Sequence, residues 1–130
     1  MHAPSLQEIS SAIAEAVAQR ADMLVVANQD TFSNDPKLVP DLAARHRLPT
    51  IYSIDSSVAH GGLVFYGFGS AALFANAAVF VDRILKGRKP AELPFEQPTR
   101  FEMVVNMKTA KALGLTIPQS LLISADEVIE

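Results

Sequence analysis

The sequence predicts an α/β fold in which helices cover a parallel sheet, and two observations support this. Short apolar runs rich in Val, Ile and aromatic residues occur at 22–27, 49–53 and 63–66, with helical patterns between and after them. The connections between these segments are only a few residues long. Strands that alternate with helices through short connections are typical of parallel strands joined by helical crossovers. We therefore expect a single domain over residues 1–130, and the Val-rich run at 22–27 favours a strand buried on both faces.

Each predicted helix has its own local signal. Ser5 followed by Glu8 is a capping-box pattern that begins a helix over 5–20. Pro40 suits the first turn of a helix over 40–47, and 55–62 predicts a single turn closed by glycine. The long segment 70–87 predicts an amphipathic helix ended by glycine. Its apolar stripe is expected to be core and comprises Leu73, Ala77, Phe80, Val81, Ile84 and Leu85.

The C-terminal third changes in character at residues 89–98, which hold three prolines in ten positions. Proline removes a backbone donor and blocks helix continuation, so this segment is expected to be an extended surface crossover. Residues 99–130 then predict a closing strand around 101–105 and a helix. Asn106 is expected to cap that helix, and Gly114 to end it in a left-handed conformation.

Composition argues against several classes of function. The net charge is -3 and the 11 Lys and Arg residues are scattered, so no nucleic-acid partner is expected. There is no Cys, and the longest apolar run, from Ser70 to Val81, is interrupted by Asn76 and ends at Asp82, which is too short for a bilayer span. The N-terminus lacks the basic start and apolar region of an export signal peptide.

The sequence also lacks the usual motifs of catalytic and cofactor-binding sites. The three His residues have no metal-ligand spacing, and no Gly-x-Ser-x-Gly motif is present. The Gly-x-Gly of Tyr66 to Ser70 has Ala72 where a dinucleotide fingerprint needs its third glycine. We expect no enzyme, no metal and no cofactor.

Candidate binding residues follow the three predicted strands, since ligands of open parallel sheets lie beyond the carboxyl ends of the strands. The loops at 28–32, 53–57 and 66–70 combine short polar side chains with the rings of Phe32, Tyr66 and Phe68. Backbone N–H groups near Ser70 are candidates to meet a ligand carboxylate. Asn and Asp also favour caps and turns, and the aromatic residues also fit a core, so these alternatives stay open. The ligand-binding candidates are Asn28, Asp30, Thr31, Asp55, Ser56, Tyr66 and Gly67.

Four stretches together carry a family resemblance: "LAARHRLPTIY", "GGLVFYG", "AAVFVDRILKGRKPAELPFEQPTRFEMVVNMKTAKALGLTIP" and "ADEVIE". From about Ala21 onward the chain resembles the C-terminal part of bacterial ABC-importer substrate-binding proteins, in particular amino-acid binders of the tryptophan type. The resemblance implies one lobe of a type I periplasmic-binding-protein fold, with a three-layer, Rossmann-like or flavodoxin-like sheet. It also implies a small solute, such as an amino acid, held between two lobes, an ABC permease as partner, and a periplasmic or lipid-anchored extracytoplasmic location for the full-length protein.

Two other classes share features with this sequence. The effector-binding half of a transcription regulator has the same fold and would have a DNA-binding helix-turn-helix upstream. A phosphoryl receiver domain needs an acidic cluster after the first strand, where "VVANQD" supplies only Asp30. For an isolated lobe we expect a homodimer, because the helix at 71–85 and a strand edge at 101–105 would otherwise be exposed.

Overall fold

The computed structural model describes residues 5–27, 35–53, 55–96 and 98–130. Within these ranges five strands form one sheet in the order β1-β2-β3-β4-β5. The first three strands are parallel, β4 is antiparallel to β3, and β5 is parallel to β4. The predicted α/β fold with a mostly parallel sheet is confirmed, although β5 is not among the predicted strands. The strands are β1 Leu24–Val26, β2 Thr50–Tyr52, β3 Val64–Gly67, β4 Glu102–Asn106 and β5 Glu127–Ile129.

The described helices begin and end mostly at the predicted signals. Ser5 Oγ accepts from the Glu8 N–H at 3.3 Å, and the Glu8 carboxylate accepts from the Ser5 N–H at 2.6 Å, so the capping box is confirmed. The Asn106 side chain caps its helix, and Gly114 ends it at φ 72°. The helices are α1 Leu6–Ala18, α2 Leu38–Arg45, α3 Ser56–Ala59, α4 Ser70–Leu85, α5 Met107–Leu113 and α6 Gln119–Ser124.

Two segments differ slightly from their predicted form. α2 begins at Leu38, two residues before Pro40, which is buried in the first turn rather than placed at its start. The proline-rich segment 89–98 contains one 3₁₀ turn, Pro90–Glu92. The described residues of that segment are mostly exposed, in keeping with a surface crossover.

The sheet is the middle of three layers. On one face, Tyr52 and Phe65 pack with Ile9 and Ile13 of α1 and with Val58 of α3. On the other face the core is formed by Val64 and Val105 with α5 and α6, whose contacts come from Ala110, Leu113 and Leu122. Because strands alternate their side chains, β2, β3 and β4 supply residues to both cores, whereas β1 and β5 supply residues only to the first.

The predicted core role of the long helix is wrong. α4 has no buried residue, and Phe74 and Leu85 are 76% and 82% exposed. The reason lies in the topology: β4 runs antiparallel beside β3, so the chain does not need a helical crossover against the sheet between them. The helices that cover one face of the sheet are α5 and α6.

Two expectations about the strands are also wrong. β1 is not buried on both faces, because Val25 is 77% exposed at the edge of the sheet. The strand at 101–105 is not an open edge either, since β4 pairs with β3 on one side and β5 on the other. The register of distant strands decides both points, and local sequence does not specify it.

Candidate ligand-binding site

A cavity of about 330 Å³ lies where β2 and β3 end and β4 begins. Its position follows from the topology, since β4 is antiparallel and brings its first residue, Glu102, opposite the last residue of β3, Gly67. Loops from three separate parts of the chain therefore meet at one end of the sheet. The cavity is lined by Ser53, Asp55, Tyr66, Gly67, Phe68, Ser70, Leu73 and Phe101.

Three aromatic rings form one wall of this cavity. The Tyr66 and Phe101 rings are stacked, with centroids 5.3 Å apart and an interplanar angle of 17°. The Phe68 ring lies 4.3 Å from that of Phe101, at a tilt of 37°. Tyr66 and Phe101 are 54% and 50% exposed, so the wall faces outward rather than into the core. Phe101 is not among the predicted site residues, because its place beside Tyr66 depends on the β3–β4 register.

The polar wall is built on Asp55 and Ser70. One Asp55 carboxylate oxygen accepts from the Ser70 backbone N–H at 3.0 Å and also from the Ser70 hydroxyl. Burial alone would raise the pKa of Asp55, but the hydrogen bonds from Ser70 and from the Ser56 backbone outweigh it and lower that pKa below 3.8. The site therefore contains a carboxylate that is ionised at neutral pH.

This pair corrects one detail of the sequence interpretation. The N–H group of Ser70, expected to meet a ligand carboxylate, is occupied by a carboxylate of the protein itself. Asp55 thereby satisfies a free donor at the first turn of α4, as a capping side chain would. It does so from a separate loop, 15 residues away in sequence.

The two glycines of the Gly-x-Gly stretch differ in how closely they are packed. A Cβ at Gly67 would lie 3.0 Å from the Phe65 ring and 3.1 Å from the Ser53 carbonyl oxygen, so Gly67 allows the backbone of β3 to pack closely against the loop after β2. A Cβ at Gly69 would lie closest to the end of the Glu102 side chain, which is flexible and can move aside.

The structure brings some of the predicted site residues together. Asp55, Tyr66 and Gly67 line the same cavity, whereas Ser56 begins α3 and does not line it. Asn28, Asp30 and Thr31, and Phe32 with them, lie outside the described residues. The ligand-binding role of all seven candidates remains a prediction.

A second cavity of about 460 Å³ adjoins the first and shares Phe68 and Leu73 with it. It lies between α4 and the segment that follows the 3₁₀ turn, and Glu96 and Arg100 are among its lining residues. Glu96 pairs with Arg83 at 3.5 Å, and Arg100 pairs with Asp126 at 3.1 Å. The charged groups of this second cavity are therefore engaged within the protein.

The two described histidines lie at the ends of helices. His60 Nδ1–H donates to the Ser56 carbonyl oxygen at 2.7 Å, and His46 is the C-terminal cap of α2. In the described ranges no three His, Asp or Glu side chains are grouped closely enough to hold a metal ion. None of the described helices has the length and hydrophobicity that a membrane crossing requires.

Comparison with known proteins gives consistent matches. A family model described as "ABC transporter substrate binding protein" matches residues 1–129. A tyrosine-binding protein of Clostridioides difficile is 26% identical over 108 residues, which are 83% of this chain and 31% of that protein.

Two solved structures superpose over almost the whole chain. An ABC domain from Streptococcus pneumoniae in complex with L-Trp is 29% identical, with a TM-score of 0.85, and the match covers 99% of this chain and 43% of that one. A conserved domain protein from Vibrio cholerae is 25% identical, also with a TM-score of 0.85, and the match covers 97% of this chain and 42% of that one. This chain thus spans less than half the length of the relatives that it matches. It belongs to the ABC transporter substrate-binding protein family.

Proposed function

We propose that this chain forms one lobe of a solute-binding protein and that the cavity at Asp55, Tyr66 and Phe101 holds an amino acid with an aromatic side chain. The observation that carries the proposal is the combination of an ionised carboxylate with a stacked aromatic wall in one cavity. A carboxylate suits the ammonium group of an amino acid, and aromatic rings suit a flat apolar side chain. The L-Trp complex and the tyrosine-binding relative support the same class of solute.

In the full-length protein, we propose that a second lobe closes over this cavity and that the pair delivers its solute to an ABC permease. The length of the relatives supports a second lobe, because this chain covers 42% and 43% of the two solved structures described above. Delivery to a permease implies a periplasmic or lipid-anchored extracytoplasmic protein, and solute binding without catalysis. Family membership does not favour the alternative of a transcription-regulator effector domain.

For the isolated chain, we propose a homodimer that buries the apolar side of α4. Six large apolar residues of this helix are at least 41% exposed, and no residue of the helix is buried. A contiguous apolar surface of this kind favours association in water. The segment at 89–98 is a suitable hinge if the C-terminal strands and helices exchange between the two copies.

The test is an NMR titration of the 130-residue chain with L-Trp, L-Tyr and L-Ala. We expect saturable shifts at Ser53, Gly67 and Phe101 for the aromatic amino acids only, with millimolar affinity because one lobe cannot enclose a ligand. Tyr66→Ala should weaken binding severalfold. Phe95→Ala is the matched control, because Phe95 is 93% exposed and outside the cavity.

Three outcomes would contradict the proposal. One is an equal response to L-Ala, and another is a loss of binding in Phe95→Ala as large as in Tyr66→Ala. The third is a lower melting temperature in Tyr66→Ala with unchanged affinity, which would assign Tyr66 a purely structural role.

A further inference from the structure

A separate cavity of about 370 Å³ lies at the opposite end of the sheet from the candidate ligand site. It includes Thr50, the first residue of β2, whereas the candidate site begins at Ser53, just after β2 ends. Its walls are the C-terminal half of α2 and the first turns of α5. Apolar groups from Pro40, Ala43, Leu48, Ala112 and Leu113 form most of the lining.

Arg47 contributes a cation to this cavity from a backbone position that usually belongs to glycine. The Arg47 N–H donates to the Ala44 carbonyl and the Leu48 N–H to the Ala43 carbonyl, both at 3.0 Å, so α2 ends in a Schellman motif. Arg47 holds the left-handed position of that motif at φ 52°, where a side chain costs free energy that glycine avoids.

Lys108 contributes a second cation, also from an unfavourable position. It lies in the first turn of α5, where the helix dipole disfavours positive charge, and that turn holds no acidic residue to compensate. Within the described part of the chain, neither Arg47 nor Lys108 forms an ion pair. No Asp or Glu lines the cavity.

We propose that this cavity is a second binding site, which takes a small amphipathic anion: a carboxylate or phosphate group on a short apolar body. The two unpaired cations would hold the anionic group through charge-assisted hydrogen bonds. The alanine, proline and leucine side chains would bury the apolar body. The Thr109 hydroxyl donates to the Gly61 carbonyl at 3.0 Å, which joins α5 to the loop before β3 and gives the cavity a fixed wall.

Chemical-shift titration of the 130-residue chain with hexanoate, hexyl phosphate and hexylamine tests the proposal. We expect the two anions to give saturable shifts at Ala43, Gly61 and Thr109, and hexylamine to give none. Arg47→Gly and Lys108→Gln should each weaken anion binding about fivefold or more, as expected for a lost charged hydrogen bond. Arg47→Gly places glycine at a left-handed position, so its fold should be retained.

Arg20→Gly is the matched control. Arg20 holds the same left-handed position after α1, at φ 58°, but does not line the cavity. It should change anion affinity less than twofold. Equal weakening by Arg20→Gly, an equal response to hexylamine, or no saturable shift with either anion would overturn the proposal.

Sedimentation of the chain with phosphatidylglycerol vesicles tests whether the anionic group belongs to a lipid or to a free molecule. If the chain sediments with the vesicles and the Arg47→Gly variant sediments with them less, the source of the anion is a lipid. Saturation by hexanoate without pelleting would indicate a free molecule.

Discussion

At the scale of single residues, the contact between Asp55 and Ser70 matters most for the candidate site. Asp55 lies on the loop after β2, and Ser70 is the first residue of α4. Their two hydrogen bonds join these elements at the wall of the cavity. α4 buries no residue against the sheet, so this contact is one of the few that hold its first turn in place.

We expect Asp55→Asn to destabilise the fold at neutral pH by about 1–2 kcal/mol, because a neutral amide oxygen replaces the carboxylate and accepts weaker hydrogen bonds from Ser70. The pKa of Asp55 is lowered in the folded state. Its stabilising contribution is therefore present above the ordinary value of 3.8 and is lost as the pH falls through the lower folded-state pKa.

Thermal unfolding of wild type and Asp55→Asn at several pH values measures this effect. The difference in melting temperature between wild type and Asp55→Asn should be largest at pH 7 and should decrease at acidic pH, below the ordinary aspartate pKa. Asp35→Asn is the control for a change of charge alone, because among the described residues the Asp35 side chain accepts only a local bond from the Lys37 backbone N–H. A gap that does not change with pH would show that the charge of Asp55 is not what stabilises the contact.

Tyr52 offers a second test at this scale. Its hydroxyl is buried and makes no hydrogen bond of good geometry among the described residues. Burial raises the pKa of Tyr52 to about 12, and a weak interaction with the Thr50 side chain only partly offsets this. Because an unsatisfied buried hydroxyl is costly, Tyr52→Phe should stabilise the fold by roughly 1 kcal/mol. Tyr66→Phe, at an exposed ring, should be neutral. A destabilised Tyr52→Phe in chemical denaturation would mean that this hydroxyl has a partner in solution.

At the scale of helices and strands, Asn106 connects more of the structure than an ordinary cap does. Its Oδ1 accepts from the Thr109 N–H at 3.1 Å, and its Nδ2 donates to the Val58 carbonyl at 3.0 Å. The residue is 5% exposed. One side chain thus begins α5 and ties it to α3 across the sheet.

We expect Asn106→Ala to cost about 2 kcal/mol, because it removes a cap and a buried hydrogen bond to the Val58 carbonyl, which keeps only its bond from the Gly61 N–H. Ser5→Ala is the matched control: it also removes a cap, but an exposed one, and should cost about 1 kcal/mol. Urea denaturation of the two variants measures both costs. Equal losses would show that the bond to Val58 contributes nothing.

At the scale of the whole molecule, α4 is the element that this lobe leaves uncovered. We expect sedimentation velocity at tens of micromolar to show a dimer, and Phe74→Ser with Leu85→Gln to shift it toward the monomer. Neither residue is buried, so the double variant should keep its melting temperature. Ile123→Gln on α6 is the control, because Ile123 is 78% exposed but belongs to a different helix. A monomeric wild-type chain, or an equal effect of Ile123→Gln, would contradict the proposal that α4 forms the dimer interface.

The sequence by itself determined the features that depend on neighbouring residues. The α/β class, the capping box at Ser5, the cap at Asn106 and the left-handed stop at Gly114 were all predictable. Each follows from hydrophobic periodicity or from a hydrogen bond within a few residues. The loops after β2 and β3 were also predictable as candidates for a binding site, because ligands of open parallel sheets lie beyond the carboxyl ends of the strands.

Only the tertiary structure decided what each apolar face meets and which distant residues share a cavity. Periodicity shows that α4 has an apolar side, but not that this side stays exposed while α5 and α6 cover one face of the sheet. The place of Phe101 beside Tyr66 depends on the antiparallel register of β3 and β4, and the partner of Asp55 is a residue 15 positions away. Register and long-range pairing arise from the packing of the whole chain, so no local pattern of residues encodes them.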